Sequence, residues 1–387
     1  MSNTKKIAGL QMTLRDNISC PLGVRPMSTR LSLSILFAFP LTGFAFSQDP
    51  PKTAPLPYDP LELATGPTVV PDTPQKRELV LNLLEHARQN NGMHAPGTPP
   101  FAMKVSFNST GTSRYTGFGE IEETWMSGQT FRWSARLGDY SQLRIFNDGA
   151  AYDDKPRGPI PLRIQMVRQS VFWPVTGRFA PALIRMATAN WQGTEVACML
   201  ISGGGNDAAP TPGRRWEETE YCIDPKTGLL RTYSEAPGIY NVYDYSEKFE
   251  FHGRTLARQI SIVEDGVTVL QIHLDSLTDA ANTDPDQFVP TKKMISHGPG
   301  DILVGPFRFP QSVAAPPGRS GVIQPVIVHA VLDKKGHAVE AEALQHSDAA
   351  LSEAALAIVA RSSYAKRDEG KPVQREAFIN VQFVPPQ

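Results

Sequence analysis

The side chains that could do chemistry in this 387-residue chain are spaced in ways that withhold it. Gly203-Gly204-Gly205 has the flexibility of a phosphate-cradling loop. No Gly-Lys-Ser/Thr follows, however, and Asn206-Asp207-Ala208-Ala209-Pro210 comes next, so it reads as a surface hairpin loop. Glu122-Glu123 and Glu217-Glu218 offer adjacent carboxylates. Neighbours on a strand point to opposite faces, so neither pair converges on one proton, and solvated faces account for both. His329, His337 and His346 lie near one another without metal-ligand spacing on one element, which reads as surface or packed histidines. No serine stands in a Gly-x-Ser-x-Gly setting. The expectation is a protein without enzyme activity, cofactor or metal; a hydrolase is the lesser alternative, because catalytic residues can lie far apart in sequence.

Trp125, Phe131, Trp133, Trp173 and Phe179 are better candidates for function. Inward aromatics on a curved sheet can line an apolar cavity with few polar groups, and they can equally just fill a core. The net charge of −1 gives no electrostatic reason to expect nucleic acid.

The elements that would carry these residues follow a secretory start. Arg30 precedes the apolar run Leu31 to Phe46, and Ala45-Phe46-Ser47 before Gln48 fits cleavage between Ser47 and Gln48. Met27 is the expected true start, with residues 1–26 an upstream extension. The run is shorter than the roughly 20 residues of a membrane span and is broken by Pro40, so an uncleaved anchor is the alternative. In an oxidising compartment Cys198 and Cys222 are expected to form a disulfide, two buried thiols being the other reading.

Pro50, Pro51, Pro55, Pro57 and Pro60 mark a linker over 48–75. Leu79, Val80, Leu83, Leu84 and Ala87 then form the stripe of a helix starting after Thr73-Pro74. Strands dominate from there. Phe131, Trp133 and Ala135 alternate with polar residues, and Ser127-Gly128, Asp148-Gly149, His252-Gly253 and Asp265-Gly266 supply turns. Ile160 to Phe172 and Pro181 to Ala189 read as helical interruptions. The whole is α+β: an antiparallel curved sheet with covering helices over 76–295, a Pro/Gly-rich linker over 296–320, and a small ββαβ domain over 321–387.

In that last domain Val328, Ala330 and Leu332 alternate with Ile327, His329 and Val331. Lys335-Gly336 turns the chain, and Val339, Ala341 and Ala343 face away from Glu340 and Glu342, the solvated side. Ser347-Asp348 caps a helix with Leu351, Ala354, Ala355, Ile358 and Val359 on one side, and Ala377, Ile379, Val381 and Phe383 mark a final strand. The run from Gly321 through Asp333-Lys334-Lys335-Gly336 to Val381-Gln382-Phe383 resembles the C-terminal domain of TonB-family energy transducers. The resemblance implies an exposed edge at the last strand, with Ala377, Ile379, Val381 and Phe383, that takes an extended segment of an outer-membrane or other envelope protein.

Phe101 to Phe107, Gly119 to Trp125, Phe131-Arg132-Trp133 and Cys222 to Leu230, behind an opening helix, look like the LolA/LolB-like lipoprotein-carrier half-barrels. That resemblance implies a periplasmic protein holding a lipid or lipoprotein acyl chain between sheet and helices. Together the two imply a non-enzymatic binding and interaction protein. The alternative is a TonB-type transducer whose N-terminal apolar segment is retained as anchor.

Overall fold

The computed structural model describes residues 68–71, 73–156, 159–177, 179–191, 194–203, 213–299, 306–316, 324–344, 348–364 and 375–384. The expected start at Met27, the cleavage between Ser47 and Gln48, and most of the linker over 48–75 lie outside these residues. Among them no helix is long and apolar enough to cross a membrane.

Helix α1 (Pro74–Asn91) begins where expected. Thr73 accepts a hydrogen bond from the Lys76 amide at 3.2 Å, and Pro74 occupies the first turn, where its missing N–H costs nothing. Val80, Leu84 and Ala87 are buried, but Leu79, one residue off that line, faces solvent. Five strands then run as a meander: β1 (Phe101–Ser109), β2 (Gly117–Ser127), β3 (Thr130–Leu137), β4 (Tyr140–Asn147) and β5 (Ala150–Asp153). After α2 (Leu162–Phe172) a second meander follows, made of β6 (Leu183–Trp191), β7 (Thr194–Ser202), β8 (Thr219–Ile223), β9 (Leu230–Ser234), β10 (Ile239–Phe251), β11 (Arg254–Glu264) and β12 (Val267–Asp279). Strand β12 pairs with β1 and joins the two meanders into one sheet, and β13 (Ile295–Pro299) extends it past β5. The sheet is curved and unclosed, ending at β13 on one side and at β6 on the other, where Val69 bridges Met186.

Local chemistry explains the tight register. At Asp148-Gly149, His252-Gly253 and Asp265-Gly266 both residues have positive φ (52° and 76°, 46° and 78°, 47° and 76°), the geometry that matches strand twist in two-residue hairpins. Gly119 is needed for a different reason: a Cβ there would lie 2.2 Å from the Phe107 ring that crosses it.

The segment from Pro181 to Ala189 is a strand, not a helix: β6 pairs with β7 from Leu183 opposite Ser202 to Trp191 opposite Thr194. Both of its faces are partly covered, and Arg185 is fully buried by its ion pair with Glu218, so no polar alternation betrays the period of two.

The C-terminal sheet has the order β14 (Phe307–Ala314), β17 (Arg375–Val384), β15 (Gln324–Leu332), β16 (Ala338–Ala343), with α3 (Ala349–Arg361) across one face. Asp348 caps α3 by accepting from the Ala350 and Leu351 amides at 2.9 and 3.3 Å. Leu351, Ala355 and Val359 pack on Val328, Ala330, Ile379 and Val381. Two expectations are corrected here. The stretch over 296–320 is not all linker, since it contributes β13 to the large sheet and β14 to the small one. The last strand is not an edge: β14 lies parallel along it from Phe307 opposite Ala377 to Ala314 opposite Val384, and β15 flanks its other side. Ala377, Ile379, Val381 and Phe383 are accordingly buried in the small core.

The other face of this sheet is not solvated either. Ile327, Val331, Leu344 and Phe378 belong to the core of the large sheet. Glu342 is buried, with its carboxylate 2.7 Å from Arg163 at the start of α2, while Glu340 accepts from Ser113 Oγ at 2.7 Å and from the Leu162 amide at 2.9 Å. Arg308 of β14 donates to Trp216 O at 3.3 Å, Thr219 Oγ1 at 3.0 Å and Glu235 O at 2.5 Å. Ser113, Leu162, Glu235 and Glu264 lie at the same end of the large sheet and α2, so the small sheet caps that end.

Candidate functional site

At the opposite end the chain leaves α1 through Gly92-Met93-His94, and the His94 amide donates to Phe172 O at the end of α2 at 3.1 Å. Odd-numbered residues of β2 and β3 face inward, which puts Ile121, Glu123, Trp125, Phe131 and Trp133 on the concave wall. The His94 ring lies flat against Trp125 at 4.1 Å between centroids and 13° between planes, with Trp173 at 5.0 Å, Phe172 at 5.2 Å and Phe131 at 5.9 Å around it. Glu123 is fully buried beneath. One oxygen pairs with His94 Nε2, and the other accepts from Arg168 Nη2 at 2.8 Å. The Arg168 guanidinium in turn lies 4.0 Å from the centre of the Trp133 ring and 5.1 Å from that of Trp173.

The charges of this cluster depend on one another. Burial by itself would raise the Glu123 carboxyl, but His94 and Arg168 beside it outweigh that and hold it below the usual carboxylate range. Burial also lowers Arg168, to about 10, against the pull of Glu123. Two donors of this cluster, Trp133 Nε1 on β3 and Arg168 Nε on α2, are buried without a hydrogen-bond partner. The site is thus aromatic on its sides and ionic at its base, with donor capacity left over.

Four of the five aromatics singled out in the sequence, Trp125, Phe131, Trp133 and Trp173, meet around His94 and Arg168. Phe179 does not; it stands half-buried and edge-on to Tyr221 at 6.0 Å. Glu123 and Glu218 depart from the solvated-face reading, because each is buried against arginine, whereas Glu122 is exposed. His329 is a packed histidine, as expected, with Nε2 2.6 Å from Glu376 and its ring stacked on Phe378. His346 lies outside the described residues. Sequence reasoning did not find His94 or Arg168. Glu123 was findable, since it shares parity with Ile121 and Trp125, but a lone histidine in a loop and an arginine on a short helix carry no spacing signal.

Cys198 and Cys222 sit directly opposite each other on β7 and β8 and form the expected disulfide, with a Cα separation of 4.0 Å. Glu220 approaches the pair, its Oε1 3.4 Å from Cys222 Sγ, but with both sulfurs joined this trio has no thiolate to offer a metal.

Residues 309–385 match the family described as Gram-negative bacterial TonB protein C-terminal. No curated protein matches the chain. Solved structures similar to it include the following three. A LolA superfamily protein from Nitrosomonas europaea is 9% identical with a TM-score of 0.36, over 54% of this chain and 97% of that one. A DUF1329 family protein from Desulfovibrio piger ATCC 29098 is 9% identical with a TM-score of 0.33, over 55% and 95%. MucB is 16% identical with a TM-score of 0.24, over 58% and 66%.

Proposed function

We propose that this is a periplasmic binding and interaction protein: the curved sheet takes a lipid or lipoprotein acyl chain, and the C-terminal sheet engages an envelope protein. The observation that carries the ligand half is the aromatic wall of Trp125, Phe131, Trp133 and Trp173, where Trp133 Nε1 and Arg168 Nε are buried without partners. An unpartnered buried donor is costly, and an ester, carboxyl or phosphate oxygen on the ligand would satisfy it. Because the small sheet caps one end of the large one, the ligand enters at the other, beside His94 and Trp173. Phe179 sits apart from that wall and would contact only a chain long enough to reach Tyr221.

The partner half rests on the family match over residues 309–385. With β17 flanked on both sides, an extended peptide would add to the outer edge of β14 or of β16 instead. The same match supports a second reading, an energy transducer with its N-terminal segment kept as a membrane anchor. N-terminal sequencing with membrane fractionation separates the two: a mature start at Gln48 outside the membrane fraction removes the transducer. For the ligand, native mass spectrometry of the purified protein and titration with a fluorescent fatty acid are decisive. Absence of both bound amphiphile and saturable uptake would leave the aromatics as core.

A further inference from the structure

The ladder between β9 and β10 stops early. Only Asn241 opposite Tyr233 and Val242 opposite Thr232 are paired, whereas β10 continues along β11 as far as Phe251 opposite Arg254. Just past the break β10 changes register against β11 between Asp244 and Lys248, the mark of a bulge. The result is a cleft of about 590 Å³ through this part of the sheet, separate from the His94 box. Its volume is that of an ordinary small-molecule site.

The lining divides by chemistry. Trp191, Leu229 and Val242 give an apolar side, while Arg231, Lys248 and Ser261 give donors. Arg231 is held ready: its guanidinium lies 5.4 Å from the centre of the Tyr245 ring, and Nη2 donates to Asp224 at 3.2 Å. Its Nε is buried and has no hydrogen-bond partner. The guanidinium as a whole lines the cleft with 23% of its side chain exposed, and a stacked planar fork of that kind selects an oxyanion, since it fits carboxylate or phosphate oxygens. Asp244 also lines the cleft, and one of its carboxylate oxygens accepts from the Ser246 amide at 2.8 Å.

We propose that this cleft is a second binding site, for a small amphiphile whose carboxylate or phosphate meets Arg231 and Lys248 and whose apolar body lies on Trp191, Leu229 and Val242. Calorimetric titration of the mature protein with octanoate, octyl phosphate and inorganic phosphate tests it. Saturable binding of one or both octyl compounds is expected, with inorganic phosphate at least about tenfold weaker, a difference of about 1.4 kcal/mol. Arg231→Met should weaken the octyl ligand about tenfold, and Lys248→Met by less, because its ammonium already meets Glu250 at 2.8 Å in the open. Asp224→Asn keeps an oxygen for the Lys226 amide but removes the charge that competes for Arg231, so it should tighten binding, a gain that misfolding cannot imitate. No saturable binding of either octyl compound overturns the proposal, as does equal affinity for inorganic phosphate, or an Arg231→Met protein that melts and binds like the wild type. Loss of the long-chain uptake proposed for the His94 box would leave these outcomes untouched.

Discussion

Arg163 Nη2 and Glu342 Oε2 lie 2.7 Å apart across the junction of the two sheets, and the same guanidinium donates to Glu264 at 2.8 and 3.3 Å. One cation therefore faces two buried carboxylates, and neither Glu342 oxygen receives an aligned hydrogen bond. Burial first, and then the charge of Glu264, push Glu342 up to about 8 despite Arg163.

Stability should fall as pH rises across that range. The folded protein keeps the Glu342 proton up to about 8, whereas the unfolded chain releases it near the ordinary value of 4.5, so between those limits the folded state binds more protons. Each unit of difference is worth about 1.4 kcal/mol at most. Glu342→Gln should raise the melting temperature at pH 9 and change it little at pH 4. Thermal melts across that range check this, and a Glu342→Gln variant that follows the wild-type slope would contradict it.

Arg308→Ala should uncouple the two sheets. Its removal leaves Trp216 O, Thr219 Oγ1 and Glu235 O without their donor, a loss on the order of 2–3 kcal/mol. Calorimetry of the variant is expected to resolve two transitions where the wild type shows one, and limited proteolysis should release a C-terminal fragment.

The strands with one wet face were legible in the sequence, and so were the turns whose Asp-Gly or His-Gly pairs dictate positive φ. Phe131-Trp133-Ala135 and its Asp148-Gly149 neighbour needed only period two and turn chemistry. Elements whose polar residues are buried in pairs were not. Arg185 with Glu218 hid β6, Glu340 and Glu342 with Ser113 and Arg163 passed for a solvated face, and Glu123 was missed because its partners His94 and Arg168 come from other elements. Alternation reports which face a residue is on but not what it meets there. The place of β14 was hidden for the same reason: Phe307-Arg308-Phe309 with Pro310 reads as linker until β17 supplies its ladder.

The disulfide should stabilise chiefly through the unfolded chain. Cys198 and Cys222 are 24 residues apart, and closing a loop of that size is worth about 3 kcal/mol. Cys198→Ala/Cys222→Ala should lower the denaturant midpoint accordingly while leaving the native far-ultraviolet spectrum unchanged. Free thiols in the protein isolated from cells without reductant would refute the bond itself.

Proline scanning should separate an internal strand from an edge. Ile379 is buried between β14 and β15, so Ile379→Pro removes a ladder donor and disturbs the face under α3. That variant is expected to lose the C-terminal fold, because an enclosed strand loses a ladder hydrogen bond and its packing together. Gln311→Pro on the outer strand β14 should cost less. Equal melting temperatures for the two variants would argue that β17 is not enclosed.

His94→Gly should leave a hole that imidazole can refill. In the folded protein His94 and Arg168 share the Glu123 carboxylate, and the imidazole is clasped between Trp125 and Trp173. Without it Glu123 keeps Arg168 alone, and breaking such a buried pair costs on the order of 3 kcal/mol. The carboxyl would then lose the largest of the influences holding it low, so acid unfolding should begin at higher pH than in the wild type. The sign follows from the lowered pKa, because the stability Glu123 contributes is present above the unfolded carboxyl's range and disappears as pH falls through its folded value. Added imidazole should restore part of the melting temperature in His94→Gly and none in the wild type, while 1,3-dimethylimidazolium, which has no N–H to offer Glu123, should give no rescue. Failure of imidazole to raise the melting temperature, with the variant otherwise folded, would mean that the box closes over the missing ring and that the stack on Trp125 is filler instead of a preformed site.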